Sequence, residues 1–337
     1  MIQQELQKAI DVCGEKPFRL KQAERAIFTR LISDWSEATD LPDRWRTYLQ
    51  EHVPLSVTRE ISRGISSRGD STKVLLQLTD GEAIECVLMR HEKGRNTVCV
   101  SSQAGCPMRC AFCATGRQGF KRNLTAQEIV EQVLHFAREL RKENERVSNV
   151  VFMGMGEPFH NYDEVLRAIN VLNAKDGLNI SARKISVSTC GIVPGIRRLA
   201  AEPLQLNLAI SLHAPNDRDR SALMPVNDAY SIDELLREVE RYVEQTNRKV
   251  MFEYLLIDGV NDTYEHAEQL VKLLGHHPLY HINLIRYHRT GKFVPSPKEQ
   301  REAFHRHLRD RGLVVTHRVS FGEDIQAACG MLAGQQK

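Results

Sequence analysis

This 337-residue chain lacks several features, and each absence excludes a class of protein. No apolar run approaches the ~20 residues a helix needs to cross a bilayer. The opening stretch, MIQQELQKAIDVCG, has neither the basic start nor the apolar core of a secretory signal, so the expected setting is the cytoplasm. There is no low-complexity segment and no short internal repeat. The net charge is only +3, too little to identify a nucleic-acid partner by itself. What remains, 42% hydrophobic and 26% charged residues, is ordinary globular composition in a chain long enough for one large domain and a small one. Eight cysteines without an export signal read as reduced thiols kept for chemistry, because a reducing compartment does not maintain a disulfide framework.

Three of those cysteines stand together in Cys106-Pro-Met-Arg-Cys110-Ala-Phe-Cys113, a C-x3-C-x2-C spacing that follows an apolar strand-like run and precedes a Gly-rich turn. Thiolates ligate iron–sulfur clusters, and a four-iron cube normally takes four of them. Three would leave one iron open to a small molecule bearing an amine and a carboxylate, such as the methionine end of S-adenosylmethionine (SAM). A zinc site usually adds a fourth Cys or His, and none lies within ten residues after Cys113. Three buried thiols are the remaining alternative. The spacing, with Phe112 before the last cysteine, resembles the radical-SAM superfamily. That resemblance implies one [4Fe-4S] cluster on Cys106, Cys110 and Cys113, and a SAM whose reductive cleavage releases a 5'-deoxyadenosyl radical.

Residues 1–50 read as a small helical unit in which Leu20, Ala23, Ile27, Phe28 and Leu31 form one apolar face, and Leu41-Pro42 and Trp45 turn into a second short helix. Arg19, Lys21, Arg25 and Arg30 lie largely off that face, either as solvated surface or as contacts to RNA phosphates. Residues 51–95 change to β-like runs. Lys73–Leu78 and Ala83–Met89 are separated by the turn signal Asp80-Gly81, which predicts a β-hairpin. From residue 96 to 337, strand-like and helix-like segments alternate, with strands expected near 97–102, 149–154, 184–189, 206–212, 249–256 and 280–286. Thr125-Ala-Gln-Glu128 and Ser231-Ile-Asp-Glu234 are helix-opening signals. A last helix over about 297–311 ends at Gly312 and leads to a strand-like Leu313–Val319 and a small-residue tail. Six β/α units are too few for a closed eight-stranded barrel, so the expected fold class is α/β, a partial (β/α)6 barrel with its site at the strand C-termini.

Several strand ends carry chemistry. Met153-Gly154-Met155-Gly156-Glu157-Pro158 combines glycines that admit close approach with a carboxylate able to accept from an ammonium. By itself such a string is more often a structural turn; forty residues after a three-cysteine motif it resembles a SAM-binding turn. Ser186-Val-Ser188-Thr189 and Ser211-Leu212-His213 could hold a ribose and a carboxylate, or merely cap exposed backbone. Cys329 sits among small residues far from the other cysteines, and Cys99 lies seven residues before Cys106. Two thiols brought to one barrel mouth can act as nucleophile and resolving partner; singly, each reads as a small core residue.

Taken in order, Cys99-Val-Ser-Ser-Gln-Ala-Gly-Cys106, Gly119–Leu124, Met153–Pro158, Ser211-Leu-His-Ala-Pro-Asn216, Leu223-Met-Pro-Val-Asn227 and Asp324-Ile-Gln-Ala-Ala-Cys-Gly330 resemble the RlmN/Cfr family of radical-SAM ribosomal-RNA adenine methyltransferases over about 95–332, and Pro17–Gln22 resembles that family's N-terminal unit. The resemblance implies methylation of an sp2 carbon, C2 in most members and C8 in the Cfr branch, of an adenosine in 23S ribosomal RNA, with transfer RNA as a further substrate. Two SAM molecules are used per turnover. One methylates the thiolate of Cys329; the radical from the second removes hydrogen from that S-methyl group; the resulting carbon adds to the base; and Cys99 releases the product by forming a transient Cys99–Cys329 disulfide. Glu85 matches a glutamate assigned as proton acceptor, although the surrounding stretch carries one residue more than the pattern. Gly156, Glu157, Ser188, Ser211, Leu212 and His213 match SAM contacts. A family asparagine falls on His288 here, Arg286-Tyr287 looks like the C8 branch, and Cys190 stands where serine is common. A monomer is expected, with an electron donor such as flavodoxin. Two rivals stay open: a radical-SAM enzyme acting on a protein or small molecule, and a metal-bound RNA-binding module without turnover.

Overall fold

A computed structural model describes residues 2–333. The chain opens with helices α1 (Ile2–Cys13), α2 (Phe18–Phe28) and α3 (Asp43–His52). The first of these lies ahead of the apolar face read from the sequence and buries Ile2, Leu6, Ala9 and Ile10. α2 and α3 turn Ala23, Ile27, Phe28, Trp45 and Leu49 inward. Trp35, between them, is buried and its indole N–H donates to Val53 O at 2.8 Å, so this side chain is both packed and satisfied.

Strands β1 (Thr58–Ile65), β2 (Ser71–Leu78) and β3 (Ala83–His91) follow as an antiparallel set. The hairpin expected from the sequence is β2–β3, with Gly81 at φ +92° in its turn. β1 is an addition: an edge strand of mostly polar residues, with a register shift between Glu60 and Ser62 that spoils any alternation. The basic residues of this region are largely paired within the fold, Arg63 with Glu60 and Glu139, Arg68 with Asp70 and Lys73 with Glu85.

The α/β part begins with β4 (Arg95–Cys99). A small antiparallel pair, β5 (Gln103–Gly105) and β6 (Phe120–Asn123), brackets the cysteine loop and the short helix α4 (Ala114–Gln118). Then come α5 (Ala126–Lys142), β7 (Asn149–Phe152), α6 (Tyr162–Asn173), β8 (Ile185–Thr189), α7 (Val193–Ala200), β9 (Asn207–Ser211), α8 (Asp217–Leu223), α9 (Ile232–Thr246), β10 (Val250–Leu256), α10 (Tyr264–Leu274), β11 (Tyr280–Arg286), α11 (Lys298–Asp310) and β12 (Val314–His317). Thr125 and Glu128 form both halves of the capping box of α5, whereas Ser231 caps α9 through Glu234 N alone.

All the larger strands share one ten-stranded sheet, ordered β1-β2-β3-β4-β7-β8-β9-β10-β11-β12. From β4 to β12 every neighbour is parallel. Six of these are the expected barrel strands, and β12 adds a seventh beyond β11. At the opposite end, β3 pairs antiparallel with β4, so the extension and the barrel are one continuous sheet. The barrel is open, with helices covering one side and the C-terminal strand ends gathered at a single mouth. Among the described residues, no helix is long and apolar enough to cross a membrane.

Candidate active site

The cysteine loop leaves the C-terminal end of β4 and is fixed by backbone bonds. Cys106 N donates to Gly119 O at 2.9 Å, Cys113 N to Cys110 O at 3.1 Å, and Ala111 N to Leu223 O at 2.9 Å. Gly105 has φ +74°, and a Cβ there would stand 1.9 Å from Gly119 O, so this crossing accepts only glycine. Cys106 is buried, and Cys110 and Cys113 are half-buried. All three line one cavity of about 160 Å³ at the barrel mouth.

Their electrostatics suit a shared positive ligand. Burial, then Cys113 and Cys106, pushes the Cys110 thiol up. Burial also drives Cys106 up to about 12, with Cys113 and Glu157 adding to it against a hydrogen bond from Met108 N. Thiols such as Cys106 and Cys110 that resist ionisation become thiolates when a cationic centre binds them. Among the described residues, no group of His, Cys, Asp or Glu converges as ligands of a single metal ion. Three sulfurs spaced around a large cavity fit a cluster several ångströms across, and these three residues would hold it.

The cavity's opposite wall is built from strand ends. After β7, Gly154 and Gly156 pass tightly against Val100 and Gln103: a Cβ on Gly154 would lie 2.7 Å from Val100 O, and one on Gly156, at φ +101°, 2.6 Å from Gln103 Cβ. Glu157 is buried and its carboxylate caps two backbone donors, Phe159 N at 3.0 Å and Cys190 N at 2.8 Å. Ser188, Thr189 and Cys190 follow from β8, and Ser211 and His213 from β9. His213 occupies a left-handed conformation at φ +57°. Its Nδ1 accepts from Leu255 N at 3.1 Å, and burial, aided by the charge of Arg220, depresses it to about 3, so the ring is neutral with its proton on Nε2. Leu212 is fully buried and does not line the cavity.

Two charged residues that sequence reasoning missed organise this wall. Arg220 on α8 is 0% exposed, and its guanidinium donates to Cys190 O at 2.6 Å, Asn227 Oδ1 at 2.8 Å, Leu212 O at 3.3 Å and Ser211 O at 3.4 Å. It thereby ties the end of β8 to the end of β9. Glu253 on β10 is 4% exposed, lines the cavity, accepts from Asn283 Nδ2 at 2.9 Å, and has its pKa raised by burial.

The C-terminal tail closes the mouth. Gly330 O accepts from Ala114 N at 2.8 Å and Leu332 O from Thr115 Oγ1 at 2.7 Å, which pins the tail across the cysteine loop. Cys329 lines the cluster cavity and also a second, outer chamber whose wall includes Cys99, Met153, Ile285, His288 and Arg318. The structure therefore brings Cys329 and Cys99 to one chamber, which none of the three cluster thiols lines. Cys99 is buried and pushed up to about 12, first by burial and then by Cys329, against the opposing charge of Arg318.

The remaining two expected residues stand elsewhere. His288 lines the outer chamber rather than the cluster cavity, with Nε2 3.1 Å from Ser320 Oγ and Nδ1 3.2 Å from Glu323. Glu85 lines neither. It is buried on β3, 2.7 Å from Lys73 Nζ, and its other oxygen accepts from Ala333 N. Lys73 also donates to Gln326 O at 3.3 Å. In this geometry the Lys73–Glu85 pair holds the tail, and proton acceptance by Glu85 would require the tail to move.

Comparison with known proteins agrees with this geometry. Residues 100–274 match the model of the radical SAM superfamily. A Bacillus licheniformis protein named "Probable dual-specificity RNA methyltransferase RlmN" is 45% identical over 336 residues, covering 99% of this chain and 92% of its own. A Geobacillus thermodenitrificans protein of the same name is 44% identical over 335 residues, with 99% and 91% covered. The crystal structure of a radical SAM methyltransferase from Sphaerobacter thermophilus superposes with a TM-score of 0.95 at 43% identity, covering 99% of this chain and 98% of that one. The chain belongs to the radical SAM superfamily and, within it, to the family of the dual-specificity RNA methyltransferase RlmN.

Proposed function

We propose that this protein methylates C2 of an adenosine in 23S ribosomal RNA and acts on transfer RNA as a second substrate, using Cys329 as the carrier of the methyl group. The observation that carries this reading is the position of Cys329 in the wall common to the cluster cavity and the chamber holding Cys99. A carrier sulfur must serve two partners in turn, and this residue lines both cavities.

When bound, a [4Fe-4S] cluster supplies one-electron cleavage of a SAM held at its open iron. Cys106, Cys110 and Cys113 would grip that cluster, while Gly156 leaves room for SAM's methionine end and Glu157, Ser188, Ser211 and His213 line the space for the rest of the molecule. His213, neutral and holding its proton on Nε2, offers a donor to an acceptor on SAM. The Cys329 thiolate takes a methyl group from one SAM, which leaves as S-adenosylhomocysteine; a second SAM, cleaved with one electron from the reductant, would supply the radical that removes a hydrogen from that S-methyl group and leaves as 5'-deoxyadenosine, hence two per turnover. Once the one-carbon unit is bonded to the base, Cys99 sulfur bonds to Cys329 sulfur. The Cys329 S–C bond breaks with its electron pair passing to carbon, a proton is taken up there, and the methylated base leaves a Cys99–Cys329 disulfide.

C2 is favoured because most members of the family this chain resembles act there, and relatives matched over about nine-tenths of their length bear the RlmN name. Arg286 and Tyr287, the pair resembling the C8 branch, line neither cavity: Arg286 pairs with Glu323 at the surface at 2.9 Å, and the Tyr287 hydroxyl meets Thr290 Oγ1 at 2.9 Å. The reading includes a monomer working in the cytoplasm with a flavodoxin-type reductant. Mass spectrometry of nucleosides from ribosomal and transfer RNA of a strain lacking the protein, treated anaerobically with it, tests the reading. 2-Methyladenosine is the expected product; 8-methyladenosine would move the protein to the other branch, and formation of neither nucleoside would overturn the assignment.

A further inference from the structure

We propose that Arg318 is a positioning residue for the exchange between Cys99 and Cys329, its guanidinium fixed in the wall between the two cavities so that a cation stands beside both sulfurs as they meet. The chemistry rests on the methyl-carrier reading above; the geometry does not.

Arg318 follows β12, and its backbone N–H donates to Leu284 O at 2.9 Å, continuing the β11–β12 ladder by one residue and fixing where the side chain starts. The guanidinium then has two partners, Glu253 Oε2 at 3.5 Å and Met153 Sδ at 3.1 Å. Glu253 is held in turn by Asn283. A guanidinium has five N–H donors, so the long contact to Glu253 and the soft one to a thioether leave donors facing the cavities. Its side chain is 20% exposed, and it lines both cavities, as do Cys329, Met153 and Ile285. Burial lowers its pKa, but Cys329, Glu253 and Cys99 outweigh that and leave it raised, so the charge is permanent.

Disulfide formation needs a thiolate as attacking group, and Cys99 is poorly placed to become one. Burial drives its thiol to about 12, Cys329 adds to the rise, and Arg318 is the charged group that opposes them. Cys99 stands opposite Val87, so the further ionisable groups on its face of the sheet are Lys73 on β2 and Glu85 on β3, which neutralise each other at 2.7 Å, and His288 lines the same chamber with its pKa lowered by burial. None of them supplies an uncompensated positive charge to Cys99 between pH 7 and 9. A purely structural Arg318 would anchor the tail's approach without facing either sulfur, which is the alternative to be excluded.

The test is alkylation of Cys99 by iodoacetamide in the anaerobic, cluster-loaded protein, followed from pH 7 to 10 and read by peptide mass spectrometry, in wild type, Arg318→Met, Arg318→Gln and Arg318→Lys. Removing the cation raises the thiol's pKa further above this window, so labelling of Arg318→Met is expected to slow about tenfold at each pH, the size of a one-unit rise. Arg318→Lys is expected to recover to within about threefold of wild type. If the Met variant does not fold, Arg318→Gln, which keeps donors for Glu253 without the charge, makes the same comparison. A Met or Gln profile that superimposes on wild type overturns the proposal. So does a slowing that Arg318→Lys fails to relieve. The labelling uses neither RNA nor SAM, so its failure leaves the methyltransferase reading standing, and absence of a methylated nucleoside leaves this inference standing.

Discussion

Arg220→Met tests how the cofactor wall is held. Arg220 is a fully buried cation without a carboxylate partner, which is costly unless the guanidinium does something a neutral side chain cannot. Its two short bonds, to Cys190 O at 2.6 Å and Asn227 Oδ1 at 2.8 Å, join the ends of β8 and β9 to the loop after α8. Methionine fills comparable volume but leaves both oxygens buried without that donor, at about 1–3 kcal/mol each. The longer contacts to Leu212 O and Ser211 O, at 3.3 and 3.4 Å, add less. Relief of the guanidinium's own desolvation subtracts from the sum. The expected loss is therefore about 2–4 kcal/mol, read from the displaced midpoint of urea unfolding at an unchanged slope, together with weaker SAM binding in titration calorimetry, since Ser188, Ser211 and His213 lose their mutual register. Arg220→Lys recovers only part, because one ammonium cannot reach both strand ends. A loss below about 1 kcal/mol with SAM affinity unchanged would refute the claim that Arg220 sets this wall.

Gly156→Ala combines a left-handed φ of +101° with a Cβ 2.6 Å from Gln103 Cβ, and is expected to destabilise by about 2–4 kcal/mol and abolish SAM binding, both measurable without catalysis. His213 gives a pH signature. Its pKa is about 3 folded against 6.5 unfolded, so the unfolded chain binds the extra proton between those values; the contribution is complete above pH 6.5 and is lost as pH falls, at up to about 1.4 kcal/mol per unit. His213→Asn, which tolerates the left-handed backbone, should flatten that part of the stability–pH curve. Lys73→Met leaves Glu85 without its cation and Gln326 O without its donor, and is expected to expose the tail over 319–333 to limited proteolysis before global unfolding, whereas Lys73→Arg protects it.

The parts of this fold legible in the sequence were those that local chemistry writes locally. The βα alternation shows because each buried parallel strand is an apolar run between turn signals, and the cysteine loop shows because three ligands of one group sit within eight residues. β1 was not legible, since an edge strand with a register shift and solvent on its polar side chains carries no alternation. Arg220, Glu253 and Arg318 were equally hidden. A charged residue reads as surface until the fold surrounds it, and each of these finds its partners more than five residues away, on other elements. His288 follows the strand that supplies Ile285 to both cavities, yet it opens only on the outer one, a distinction that depends on how the chain turns after β11. The one signal that could have flagged Arg318 is its place at the end of a strand-like run shortly before Cys329.

The account depends on Cys329 carrying the one-carbon unit and Cys99 releasing it. The most direct measurement is peptide mass spectrometry of Cys99→Ala protein after anaerobic turnover with methyl-labelled SAM and substrate RNA. The account predicts a nucleotide joined to Cys329 through a labelled carbon, with no such adduct in wild type. Labelled RNA released by the variant with Cys329 unmodified, or the label on any other cysteine, would contradict it.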